Sequence, residues 1–181
     1  MAFIASCFSY GARKQFFPKI QRFLEWSGGD IHRWVGNGDF RQVITDDGKS
    51  FYRLQTSHHV LAMMARLQEM LLNHGSISGY IKLNAKDTFS AIAAICEWFR
   101  HSDNGALVPA STASACKRVC MFLRWMVRDA SPVDLGLWSG FIDKRTLIMP
   151  LDTHVVQEAI KLGLLASKSA SMANAIKLSQ K

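Results

Sequence analysis

Apolar residues recur at helical spacing in every long segment of this chain, while the alternating apolar–polar pattern and tight hairpin turns of a sheet protein are almost absent. That pattern predicts an all-α fold. From Arg13 to Trp26, Phe16, Ile20, Phe23 and Leu24 fall on one helical face and Lys14, Arg22 and Glu25 on the other, and Gly28-Gly29 ends the run. Gly36-Asn37-Gly38 and Asp46-Asp47-Gly48 are turn signals, so Asp30 to Ser50 reads as one short helix with irregular connections. From Ser57 to Asn73, Val60, Met63, Met64, Leu67 and Leu71 form a buried stripe, stopped at Gly75. Asp87 caps a further helix that runs through Phe99 and closes in Ser102-Asp103-Asn104-Gly105. The methionines and aromatics of these stripes are core residues, because any buried helix needs them there.

The third region carries the chemistry. Ser111-Thr112-Ala113-Ser114 supplies N-cap candidates for a helix from Ala115 to Arg128 whose charges, Lys117, Arg118, Arg124 and Arg128, are all positive. A loop with Pro132 and Gly136 follows, then Ile148-Met149-Pro150-Leu151, then a helix opened by Asp152-Thr153 and closed near Leu162 by Gly163. A last helix begins between Ser167 and Ser171 and runs to Lys181. The whole, residues 1–181, reads as a single helical domain large enough to bury a core.

With 22 Lys and Arg against 14 Asp and Glu, the net charge of +8 favours a polyanionic partner such as nucleic acid. The four cysteines, Cys7, Cys96, Cys116 and Cys120, lack the spacing of a zinc or iron–sulfur ligand set, so no metal and no cofactor is expected. His58 and His59 are adjacent on a helix, point in different directions, and make no metal pair. Met1 to Tyr10 is apolar but has neither a basic n-region nor a small-residue cleavage site, and no stretch approaches 18 uncharged apolar residues. The expectation is a cytoplasmic protein with reduced thiols and no membrane partner.

Asp152 is well placed to cap its helix, where backbone N–H groups and the positive end of the helix dipole favour the ionised carboxylate. Taken alone, that is a structural cap. Read with the residues around it, Pro150-Leu151-Asp152-Thr153-His154-Val155 resembles the segment around the catalytic aspartate of helix-hairpin-helix DNA glycosylases. In those enzymes a lysine precedes the aspartate, at the start of a helix that follows a hairpin. Leu107-Val108-Pro109, then Lys117 and its basic helix, occupy the matching place. The chain is further similar to an uncharacterised bacterial family related to those glycosylases, on Phe8-Ser9-Tyr10-Gly11-Ala12-Arg13-Lys14-Gln15, Phe51-Tyr52-Arg53, and Ser114-Ala115-Cys116-Lys117-Arg118 continuing through Met121 to Arg128. The likeness begins at the first residues and is still running at Lys181, so a fold incomplete at both ends is expected.

The resemblance implies DNA as partner and base excision or lyase chemistry on damaged DNA. A glycosylase flips a nucleotide out of the stack, at a cost of a few kcal/mol, and breaks the bond between base and sugar. Asp152 would stabilise the positive charge that builds on the sugar, and Lys117 would attack C1′ to form a Schiff base. Arg118, Arg124 and Arg128 would either lower the Lys117 pKa by like-charge repulsion or hold phosphates, and Ser111 and Ser114 would join the nucleic-acid contacts. Three departures stand beside this. The hairpin stretch Pro109 to Ser114 has no glycine for close backbone approach to phosphate. Lys117 and Asp152 are 35 residues apart, so Asp129 to Met149 must fold back to join them. The iron–sulfur cysteines of some relatives are missing. His154 reads either as a general base or as a capping or core histidine. The alternatives are a non-catalytic nucleic-acid-binding module on the same scaffold, and a helical interaction protein whose charge serves solubility.

Overall fold

The computed structural model describes residues 1–180. The protein is 56% helix, with ten α-helices and one small two-stranded sheet among the described residues. Backbone contacts divide it into two compact units, one of Met1–Leu83 with Trp98–Ala110, the other of Asn84–Glu97 with Ser111–Lys181.

The first unit holds α1 (Ala2–Phe8), α2 (Arg13–Trp26), α3 (Ile31–Asn37), α4 (Phe40–Val43), β1 (Ser50–Tyr52), β2 (Gln55–Thr56), α5 (Ser57–His74) and α6 (Ile77–Asn84). Its core is the inner face of α5, where Val60, Met63, Met64, Leu67 and Met70 are buried, and an aromatic cluster in which Phe8 packs on Phe23, Phe51 and Tyr52. α2 spans the residues that periodicity marks, yet Phe23 alone of its side chains is fully buried. The short hairpin pairs Ser50 with Thr56 and Tyr52 with Gln55. Strands of three and two residues are too short to show alternation, which is why periodicity passes over them. Arg53 turns the hairpin in the left-handed region at φ 52°. Thr56 then caps α5 by accepting the His59 amide, while His59 Nδ1 accepts the Thr56 amide, so a histidine stands where a capping box usually has Glu or Gln. Gly75 stops α5 at φ 70°, and Ser76 Oγ accepts the Gly79 amide to start α6.

The second unit contains most of α7 (Thr88–Phe99), then α8 (Lys117–Val127), a 3₁₀ turn (Lys144–Thr146), α9 (Thr153–Lys161) and α10 (Met172–Ser179). Asp87 Oδ1 accepts the Ser90 amide at 2.8 Å at the head of α7, as its position predicts. Ala91, Ile92, Ile95 and Cys96 of α7 are buried, as are Val119, Cys120, Phe122, Leu123, Met126 and Val127 of α8. Ser171 Oγ accepts the Asn174 amide and caps α10. Among the described residues no helix is long and apolar enough to cross a membrane.

Candidate functional site

α8 starts two residues later than its sequence suggests, and none of the four residues from Ser111 to Ser114 caps it. Its N-cap is Cys116, held in the left-handed region at φ 46°, ψ 39° with no side-chain cap. The serines instead stabilise the approach: Ser111 Oγ accepts the Ala113 amide and Ser114 Oγ the Cys116 amide, each at 3.4 Å. The strand-like pairing of Ser114 with Ser171, with the Ala115 amide donating to Ala170 O at 3.2 Å, ties this approach to the segment before α10. The sharp turn at Cys116 makes Lys117 the first residue of the helix.

Asp152 occupies the corresponding place before α9. Its Oδ1 accepts the Val155 amide at 2.9 Å, and its Oδ2 accepts from Lys117 Nζ at 2.5 Å. Two helix starts, 35 residues apart in the chain, thus share one carboxylate. The aspartate suits the positive end of α9, whereas a lysine at the N-terminus of α8 sits against that helix's dipole. Burial pushes the Asp152 carboxyl up, but the Lys117 hydrogen bond, the Val155 amide and the charges of Lys117 and His154 outweigh it, so the pKa lies below the usual carboxylate value. The pair is partly open to solvent, with Lys117 40% and Asp152 28% exposed. His154 is exposed.

The excursion from Asp129 to Met149 closes as the spacing requires. The Leu135 and Gly136 amides donate to Trp125 O and the Trp138 amide to Met126 O, so the loop's own backbone satisfies carbonyls at the C-terminal end of α8. Trp138, 4% exposed, then stands edge-on to Phe122 with ring centres 5.2 Å apart. Asp129 bonds Lys144 Nζ at 2.9 Å across the base of the loop, and Ile142, Ile148 and Leu151 are buried on the way to Asp152.

On α8 the positions of Lys117, Met121, Arg124 and Arg128 share one face, and Arg118 lies about 100° round from Lys117. Arg124 and Arg128 do not stand alone there. Their Nε atoms approach Asp134 Oδ1 and Oδ2 at 3.7 and 3.3 Å, and the Asp134 side chain is fully buried between them. Only the folded loop reveals this carboxylate; in the sequence it is one acid in an irregular stretch.

The thiols are also arranged differently from their chain spacing. All four cysteines are thiols and all are buried. Cys116 and Cys120 are neighbours by helical spacing, yet the sulfur beside Cys116 Sγ is that of Cys96, 3.9 Å away on α7. The contact with Cys96 draws the Cys116 thiol below its usual range, and burial pushes Cys120 up to about 12. Among the described residues no group of three or more His, Cys, Asp or Glu is placed to hold a metal ion. His58 bonds Asp46 at 3.0 Å in the first unit, and His59 is the capping histidine of α5.

Over residues 1–181 the sequence matches a family described as "Protein of unknown function (DUF2400)". The chain belongs to this family. Its description assigns the DUF2400 family no reaction, so the chemistry of the Lys117–Asp152 pair rests on its geometry. No curated protein and no solved structure matches the chain.

Proposed function

We propose that this protein is a cytoplasmic DNA glycosylase or glycosylase-like lyase of the helix-hairpin-helix type, in which Lys117 is the nucleophile and Asp152 the electrostatic stabiliser. The observation that carries the reading is the 2.5 Å contact between Lys117 Nζ and Asp152 Oδ2 at two helix starts. Base excision coupled to lyase chemistry uses these two groups together. As the base departs with its bonding electrons and takes up a proton, positive charge grows on the sugar, and an ionised carboxylate beside C1′ stabilises it. Asp152, with its pKa below an ordinary carboxylate value that already lies well under neutrality, is charged at neutral pH. In its neutral form the Lys117 amine attacks C1′, and opening of the sugar leaves a Schiff base between Nζ and C1′. Salt-bridged at rest, Lys117 leaves its Asp152 partner and passes its proton, through solvent, to the departing base before it attacks. The basic face of α8 supplies phosphate contacts, and the net charge of +8 draws DNA in at long range.

A second reading, a nucleic-acid-binding module without chemistry, is favoured by the fact that both Asp152 oxygens are already engaged, one capping α9 and the other holding Lys117. Borohydride trapping on a duplex with an abasic site separates the two. The catalytic reading expects a covalent adduct with the wild-type protein and none with Lys117→Gln at unchanged circular dichroism. It also expects Asp152→Asn to slow release of a damaged base by roughly a hundredfold, a loss of a few kcal/mol of transition-state stabilisation. Salt-dependent duplex binding without any adduct or base release establishes the binding module instead.

A further inference from the structure

The Asp134 carboxylate is fully buried in its ion contacts with Arg124 and Arg128, and its surroundings are unusual. Neither of its oxygens completes a hydrogen bond, and neither does the buried Nε of Arg124. An ion contact at 3.3–3.7 Å without hydrogen bonds offsets little of the cost of burying a charge. Stability of the loop has a separate source: the amides of Leu135, Gly136 and Trp138 bond the end of α8, and Trp138 packs on Phe122. Asp134 immediately precedes Leu135, so that capping fixes its carboxylate beside the last turn of α8 whether or not the arginines engage it.

What the carboxylate does affect is the arginines. Both present Nε to Asp134, and both side chains remain partly exposed, at 38% and 46%. A guanidinium that presents Nε to one partner has a second edge, between its two terminal amino groups, whose planar fork suits two phosphate oxygens. Arg124 and Arg128 lie one turn apart, a rise of about 6 Å, on the face that begins at Lys117. We infer that Asp134 is a positioning residue: it holds Arg124 and Arg128 by their Nε edges as a paired phosphate clamp on the Lys117 face of α8. This rests on the DNA-binding part of the proposed function and adds to it a residue that carries the wrong charge for a phosphate contact.

The sign of one substitution decides the matter. Asp134→Asn removes a negative charge, and charge alone makes that variant bind DNA more tightly. As a positioning residue, Asp134 is instead required for affinity, because the freed arginines must be ordered again on binding. With a fluorescein-labelled mixed-sequence DNA duplex titrated over a range of salt concentrations, the expected result is a Kd weakened about fivefold at every salt concentration, with the log Kd–log salt slope and the melting temperature unchanged, because the same phosphates are contacted at a higher ordering cost. Arg124→Lys/Arg128→Lys keeps both charges and removes both forks. It is expected to weaken binding to a similar extent at the wild-type slope, and Asp134→Asn on that background to weaken binding no further. The double-lysine protein also decides the outcome if Asp134→Asn fails to fold: a wild-type affinity there overturns the clamp. Equal or tighter binding by folded Asp134→Asn overturns it as well and leaves the proposed function standing. A wild-type protein with no salt-dependent duplex binding removes both.

Discussion

Each oxygen of Asp152 has one partner, the Val155 amide for Oδ1 and the Lys117 ammonium for Oδ2, so its substitutions separate a cap from an ion pair. Asparagine keeps an oxygen for the cap and loses the charge; alanine loses both. The cap is worth about 1 kcal/mol. The ion pair, partly exposed and screened by solvent, adds no more than about 1 kcal/mol. Asp152→Ala is therefore expected to destabilise by about 1–2 kcal/mol in urea unfolding, and Asp152→Asn by roughly half as much. The direction of the pKa shift sets the pH dependence. A carboxyl held below its ordinary value near 3.9 contributes its charge-dependent stability above that pH and loses it as pH falls through the folded-state value. The difference in unfolding midpoint between wild type and Asp152→Asn is expected to be constant from pH 7 to about 5 and to vanish in the acid limb below about 4. A difference that persists at the acid end assigns the effect to packing. At Arg124 and Arg128 the buried Asp134 constrains what can be substituted, because a glutamate at either position sets two carboxylates against each other. Charge-reversing variants there confuse folding with binding, whereas lysine variants do not.

At the scale of elements, α8 and the loop after it behave as one piece. Trp138 is buried against Phe122, and its amide bonds Met126 O, so Trp138→Ala opens a cavity at the point where the loop latches the helix. A loss of about 3–5 kcal/mol is expected in urea unfolding, with Trp138→Phe recovering most of it. A cost below about 1 kcal/mol contradicts the latch. How much of this was readable from the chain differs by element. α2, α5 and α7 follow from apolar spacing with a polar cap or a glycine stop, signals local to the helix itself. α1 and α6 are short, and their apolar residues give no stripe long enough to register. The start of α8 escapes the sequence because three good capping residues, Ser111, Thr112 and Ser114, precede it, while the turn that opens it is a strained Cys116 with no capping side chain. Lys117 and Asp152 were legible because each stands near a helix start in a recognisable motif. Asp134 and the Cys96–Cys116 approach were not, since both depend on a 20-residue separation or a loop path that no local pattern encodes.

For the molecule as a whole, the long separation within the Lys117–Asp152 pair has a consequence for folding order. Bringing the two side chains together requires the chain between them to be closed first, and ordering a loop of that length costs entropy before the contact returns anything. Helices α8 and α9 are built from local bonds and are able to form without it. The contact therefore belongs to the last, descending side of the folding barrier. In stopped-flow experiments Asp152→Asn is expected to raise the unfolding rate by the whole of its stability loss and to leave the refolding rate unchanged, giving a φ-value near zero. Loss of stability appearing as slower refolding places the pair in the nucleus instead. Late closure means that a chain opening locally at this loop sheds its lysine–aspartate pair while its helices persist, so amide-exchange protection at Val155, the amide that Asp152 holds, reports how often the site comes apart.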